Sequence, residues 1–312
     1  MSSYVDHEAS QDFNKARGQE TMSRIMSLLD PGKDEMLSLQ EVKDLLKPKS
    51  ETYRGMQTVT IDHIIGSEGR YRDFNRRFLP KHEYLRNRWT RVDKAHLQSV
   101  ILPPIKLYEI GGVYFVRDGN HRVSVARSQG VQAIDAEVVS LSSEVTLRPN
   151  MNKRELLHEV IGYEKRRFNE ETRFDLLVPH QELVFTAPGR YDEVIQHVYG
   201  HKYYINQQYR HEIPFETALI SWFNNVYKPI VDIIEREGLL HRFPGRTAAD
   251  LYVWIVKHWH QLKEKLGPNV PIDVAALDFS QRYGKDIRTR ARETIERLFR
   301  LTRKTPSDDA QD

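Results

Sequence analysis

Val116-Arg117-Asp118-Gly119-Asn120-His121-Arg122-Val123-Ser124 is the stretch that decides how this chain is read. Its nine residues lie between a predicted strand, Gly112 to Val116, and a predicted helix, His121 to Gln129. A glycine, two polar residues and an arginine therefore meet at a helix N-terminus. The N–H groups of a first helical turn have no partner within the helix, and the macrodipole is positive there. Such an end suits a phosphate, and Arg122 adds a fork of charged donors. The pattern indicates a nucleotide or phosphorylated ligand more strongly than it indicates a reaction.

Outward from this motif the flanks read as a compact α/β unit. Leu102-Pro103-Pro104 leads into a strand over Ile105 to Ile110, and Gly111-Gly112 is a two-residue hairpin signal before Val113 to Val116. Gly130 stops the helix, and Ile134 to Val139 closes the unit as another strand. Upstream, Thr58 to Ile61 reads as a strand and Ala95 to Val100 as a helix. Residues 9–47 read as two helices. The first carries Phe13, Met22, Ile25, Met26 and Leu29; the second follows Ser38, with Glu41 completing a capping-box spacing, and Pro48 ends it.

Residues 150–304 read as mostly helical. Helices are predicted over Asn152 to Asn169, around Tyr191 to Val198, and from Pro214 toward Gly238 with a kink at Pro229. Thr247, with Asp250 three residues on, caps a helix whose Leu251, Trp254, Ile255 and Leu262 share a face. Lys285 to Lys304 is a last helix with a basic face, and 305–312 is a polar, disordered tail. The expected organisation is a helical segment over 1–55, an α/β domain over 56–145, a helical domain over 150–304 and the tail. The fold class is α+β.

Composition bounds the rest. Hydrophobic residues make up 39% and charged residues 29% of 312, which describes a globular chain able to build real cores. The chain lacks cysteine, which excludes disulfides, thiolate metal sites and cysteine nucleophiles. The N-terminal residues have no signal-peptide pattern and no apolar run approaches a membrane span, so a cytoplasmic protein is expected. The 47 basic and 44 acidic residues leave +3, too diffuse a charge to imply nucleic acid by itself.

The segment from Leu102-Pro103-Pro104-Ile105 through Tyr114 to Arg122, with Ala126 and Gly130, resembles the ParB N-terminal/sulfiredoxin-like superfamily. That superfamily includes chromosome-partition CTPases, sulfiredoxins and free-serine kinases. Its Gly-x-x-Arg phosphate loop is matched by Gly119 and Arg122, and Gly66 to Phe74 stands where partition proteins carry an arginine-containing segment. The resemblance covers about 85 residues. The region from Phe243 to Trp254 also looks like a helical bacterial domain of unknown function. Two departures matter: without cysteine there is no sulfiredoxin chemistry, and the sequence after residue 140 offers no convincing helix-turn-helix pattern. The loop is Gly-Asn-His-Arg rather than the Gly-Glu-Arg-Arg of partition proteins, so their base preference does not transfer.

The resemblance implies a nucleotide site for ATP or CTP with Mg²⁺. Gly119, Asn120, His121 and Arg122 would cradle phosphate, with Arg70 as a second contact. His121 would contact phosphate or cap the turn. Asp118 would hold the metal ion, orient Arg122, or serve as an ordinary Asp-Gly turn residue. In the related free-serine kinases a glutamate ahead of the phosphate loop acts as base toward a substrate hydroxyl. Glu68 takes that place here, against the plainer reading of a solvated loop carboxylate. The implied activity is NTP hydrolysis or phosphoryl transfer to a small hydroxyl substrate. The alternatives are a non-enzymatic nucleotide switch that alters dimerisation or DNA affinity, and a scaffold that has lost its ligand. A homodimer and a nucleic-acid partner belong to the switch reading; a membrane partner to none.

Three other patterns favour structure over function. Asp30 to Glu41 has a calcium-loop length, but its third position is Gly32 and its sixth, which needs glycine, is Glu35. Glu193, His197 and His201 fall four apart, a spacing that suits zinc, in a helix weakened by Gly200. His258 and His260 face different sides of a helix. The aromatic residues Tyr199, Tyr203, Tyr204, Tyr209, Trp222, Phe223 and Tyr227 read as core rather than as a base-stacking platform.

Overall fold

The computed structural model describes residues 2–27, 34–207 and 211–284. The calcium-loop positions Asp30 and Gly32, Leu29, Tyr209, the last predicted helix and the tail lie outside them. The chain divides into two compact units, Met1–Tyr163 and Glu164–Asp312. Among the described residues no helix is long and apolar enough to cross a membrane. The fold class is α+β: a mixed sheet with helices in the first unit, and helices alone among the described residues of the second.

The sheet of the first unit has six strands: β1 (Leu37–Ser38), β2 (Glu51–Thr60), β3 (Ile64–Ser67), β4 (Ile105–Ile110), β5 (Val113–Asp118) and β6 (Ala133–Leu141). They lie in the order β1-β3-β5-β4-β6-β2. β1, β3 and β5 run parallel to one another, β4 is antiparallel to β5 and parallel to β6, and β2 pairs antiparallel with β6 at the edge. The hairpin between β4 and β5 forms as read. Ile110 faces Val113 across it, with Gly111 at φ 61° and Gly112 at φ 91°. Two consecutive positive φ values are what a turn matching the strand twist requires.

Both faces of the sheet are covered. On one side α1 (Ser2–Ser27), α3 (Arg86–Leu97) and α4 (Asn120–Ser128) bury Phe13, Trp89 and Val123 against Ile105, Leu107 and Val116. On the other, α2 (Leu39–Leu46) and the start of α5 (Lys153–Thr172) bury Leu39, Val42, Leu156 and Val160 against Tyr108, Ile110 and Phe115. Adjacent residues of β5, Phe115 and Val116, thus serve opposite cores, as strand alternation demands. Phe13 meets the Trp89 ring edge-on at 5.6 Å, which ties the N-terminal helix to the core beneath the sheet.

Several local expectations need correction. The Ser38 side chain makes no capping bond; its backbone sits in β1 beside β3 instead. The helix predicted over Ala95 to Val100 is the end of α3, which closes at Leu97, with Ser99 at φ 56°. β3 was hidden in what reads as a loop. Gly66 belongs to it because a Cβ there would stand 2.4 Å from both the Leu37 carbonyl oxygen and the Phe115 ring.

In the second unit, α6 (Phe174–Leu177), α7 (Arg190–Asn206), α8 (Phe215–Trp222), α9 (Lys228–Arg236) and α11 (Ile272–Tyr283) accompany a central α10 (Ala248–Leu266). α10 is buried almost all round its first turns, with Leu251, Tyr252, Val253 and Ile255 inaccessible. Its predicted capping box is present: Thr247 Oγ1 accepts from the Asp250 N–H, and the Asp250 carboxylate accepts from the Thr247 N–H, both at 3.1 Å. In place of a sharp kink at Pro229, α8 passes into α9 through a π-turn over Phe223–Tyr227, where the Lys228 N–H reaches back to Phe223 O. Proline lacks an N–H and crowds the carbonyl four residues back, and the wider turn relieves both.

Candidate functional site

Strand direction sets the position of the site. β3 and β5 run parallel and end together at Ser67 and Asp118, while the antiparallel β4 begins beside them at Ile105. The loops after β3 and β5 and the segment before β4 therefore converge at one end of the sheet. They enclose a cavity of about 890 Å³, of a size typical for a small-molecule site.

The floor of this cavity is the N-terminus of α4. Gly119 is its cap, at φ 111°, and no side chain caps the helix. A Cβ at 119 would meet Ile105 Cγ2 at 2.4 Å and Arg122 Nη2 at 3.2 Å, so the turn needs both the conformation and the smallness of glycine. The helix begins at Asn120, one residue ahead of the reading from sequence. The Val123 N–H is the first to find a helical partner, Gly119 O at 3.0 Å. The preceding N–H groups are left for solvent or an anion.

The walls are strongly cationic. Arg70, Arg88, Lys106, Arg117 and Arg122 line the cavity against two carboxylates, Asp73 and Asp118. Arg70 pairs with Asp73 at 2.7 Å, and Asp73 also accepts from the Tyr84 hydroxyl at 2.5 Å. Lys106 lies 3.3 Å from Glu137, and Arg117 rests 5.5 Å from the centre of the Tyr108 ring. Arg88 has no hydrogen-bond or ion-pair partner among the described residues. Arg122 is held in place by Asp118 Oδ2 at 2.6 Å, by Pro104 O at 3.0 Å and by Pro103 O. A guanidinium has further N–H groups beyond these, and they remain for an anion.

His121 and Asn120 are nearly inaccessible, at 5% and 8% exposure. His121 Nδ1 and Asn120 Oδ1 have no hydrogen-bond partner among the described residues. The His121 ring meets Phe74 edge-on at 5.3 Å. Burial, and then the fields of Arg88 and Arg70, lower its pKa to about 4. The ring is neutral at pH 7, chiefly because it is buried and secondarily because Arg88 and Arg70 stand near it.

The residues singled out from sequence are placed as follows. Gly119, Asn120, His121, Arg122, Asp118 and Arg70 line one cavity. Glu68 is exposed and is not part of the lining; it stands one residue before Gly69 at the rim, its N–H donating to Val116 O at 2.9 Å. The loop behind it is fixed by Ser67, whose buried Oγ donates to Val116 O at 3.2 Å and accepts from the Arg70 N–H at 3.3 Å. Sequence reasoning missed Arg88, Lys106 and Arg117. The strand-end positions of the last two, flanking the hairpin, are the signal that marks them.

Asp118 offers a metal ion one carboxylate oxygen, Oδ1, since Oδ2 is held by Arg122. Both oxygens of Asp73 are engaged. Among the described residues no group of three or more potential ligands could hold a metal ion. That donor set fits a magnesium ion carried in on phosphates, which keeps few protein ligands, rather than a cage built by the protein. In the second unit, Glu193, His197 and His201 do not converge. They bond separately to Arg190 at 2.5 Å, Tyr252 at 3.1 Å and Ser221 at 2.9 Å. Trp222, Phe223 and Tyr227 are core, whereas Tyr199, Tyr203 and Tyr204 are exposed.

No protein-family model matches the chain, and no curated protein matches it. Among solved structures, a Pnob8-like ParB-N domain aligns over 80% of this chain and 99% of its own length, at 10% identity and a TM-score of 0.20. So loose a superposition establishes neither fold nor function.

Proposed function

We propose that the first unit binds a nucleoside triphosphate, ATP or CTP, by its phosphates at the N-terminus of α4. The observation that carries this reading is the cationic cavity built over an uncapped helix end, with five basic side chains against two acidic ones. Free N–H groups, the positive end of the helix and unpaired guanidinium donors all favour the same occupant, a polyanion. The likeness of Gly119 to Arg122 to the ParB/sulfiredoxin-like phosphate loop points the same way. Arg88 and Arg122 would meet the phosphates, and Asp118 Oδ1 would share the accompanying Mg²⁺.

A second reading adds turnover, and the position of Glu68 at the rim favours it. A substrate hydroxyl would attack the γ-phosphorus, its proton passing to the Glu68 carboxylate as the nucleoside diphosphate leaves. Calorimetry with ATP, CTP, GTP and ADP plus Mg²⁺, on wild type and Arg88→Ala, tests the first reading. Arg88 is exposed and has no partner among the described residues, so its loss leaves the fold intact. Binding weakened at least tenfold in the variant is expected; equal binding by the two proteins would refute the site. Glu68→Gln should retain nucleotide and lose any phosphotransfer, and full turnover in that variant would remove Glu68 from the chemistry.

A further inference from the structure

A second chamber adjoins the cationic cavity. It encloses about 410 Å³, and its walls differ sharply in character: Met56, Val100, Ile101, Leu102, Val125 and Ile134 make it apolar. The two spaces share Val92, Leu102, Pro103, Pro104 and Arg122. Arg122 therefore stands at the junction, pinned to the carbonyls of both prolines. Three of the apolar side chains are left uncovered: Ile101 is 96% exposed, Met56 58% and Val100 52%. Uncovered apolar side chains grouped at the mouth of a cavity mark a binding surface rather than a packing defect.

We infer that this chamber receives the base of the nucleotide whose phosphates occupy the α4 end. The inference rests on the reading given above and specifies the ligand further. A ligand spanning both spaces needs a polyanionic end and a flat, largely apolar end within one molecule, and a nucleoside triphosphate has that construction. The shared wall at Leu102 to Pro104 and Arg122 is where its sugar would cross. The lining also includes a carboxylate, Asp135, whose Oδ1 accepts from the Thr58 hydroxyl at 2.8 Å. Free tripolyphosphate would fill the first space and leave the second unused.

The test compares ATP and CTP with inorganic tripolyphosphate, each with Mg²⁺, by calorimetry on the full chain. Wild type should bind the better nucleotide more tightly than tripolyphosphate. The double variant Met56→Ser/Ile101→Ser removes exposed apolar surface without touching the core; it should weaken nucleotide binding about tenfold and leave tripolyphosphate unchanged. Equal affinity of wild type for nucleotide and tripolyphosphate, or equal losses for both in the variant, overturns the chamber assignment while the phosphate site stands. A nucleotide preference that survives the double variant but falls in Tyr84→Ala overturns it too, placing the base on the exposed Tyr84 ring, stacked with His82 at 5.2 Å. Failure of wild type to bind either ligand overturns both readings together.

Discussion

Asp93 should be more useful to this protein as an amide than as an acid. The side chain sits on α3 with no exposure, between α1 and the end of α4. Its Oδ1 accepts from Gln129 Nε2 at 2.8 Å, and its Oδ2 is buried without a partner. The same amide nitrogen donates to Asp12 Oδ2 at 3.0 Å, so two carboxylates share one donor. Burial raises the Asp93 pKa above its ordinary value and outweighs the lowering effect of the Gln129 hydrogen bond; Asp12 and Glu8 add to the rise and His96 opposes it. The folded state thus holds this proton more tightly than the unfolded chain does. Stability from the group is greatest at low pH and is lost as pH rises through the folded pKa. Asp93→Asn keeps the Oδ1 acceptor and removes the charge. Removing the buried charge is worth about 1–3 kcal/mol at neutral pH, while the amide Nδ2 stands as unpartnered as Oδ2 was. For a unit of this size that is a rise in Tm of about 2–12 °C. Thermal unfolding of both proteins, followed from about pH 4 to about pH 8, checks it against the ordinary carboxyl range. The difference between the two should grow with pH and then level off. The titration of His121 contributes equally to both and cancels. A variant less stable than wild type at pH 7, or a difference that does not change with pH, would refute the reasoning.

Three further outcomes follow from the geometry. Gly119→Ala should lower the Tm and abolish phosphate binding, since the new Cβ meets Ile105 at a positive φ; about 2–4 kcal/mol is expected, measurable by denaturant unfolding. Because His121 is already neutral well above its pKa of about 4, affinity for a phosphate ligand should show no titration of this ring between about pH 5.5 and about pH 8. A rise in affinity with a midpoint near 6.5 would mean that the ring binds as a cation. Thr247→Ala, which removes the capping box of α10, should cost about 1 kcal/mol in denaturant unfolding; no loss would mean that the backbone caps itself.

How much of this was legible in the sequence depended on whether a residue's role is local. Gly111-Gly112 and Thr247 with Asp250 act through their immediate neighbours, and each does what its spacing implies; Gly119 to Arg122 stand at a helix N-terminus, as their order implies. Arg88, Lys106 and Arg117 meet only because β3, β4, β5 and α3 arrive at one end of the sheet, and no window of sequence contains that fact. α3 escaped a correct reading because Trp89 and Asp93 are its only fully buried positions, an apolar stripe too thin to show a period. Ser38 illustrates the reverse failure: a sound local signal gave way to a strand pairing with Ser67 of β3, far along the chain.

The π-turn between α8 and α9 has a consequence for chain length. In an unbroken α-helix Trp222 and Ile230, eight residues apart, would point about 80° away from each other. The wide turn absorbs one residue, which brings them to within about 20°. That is why both can be buried, at 0% and 3% exposure, on a single stripe. The extra residue works as a phase shifter: deleting one position among Phe223 to Tyr227 would restore a regular helix where the π-turn now sits, while keeping Trp222 and Ile230 in phase. Inserting one would throw Ile230, Ile233 and Ile234 out of the core by about 100°.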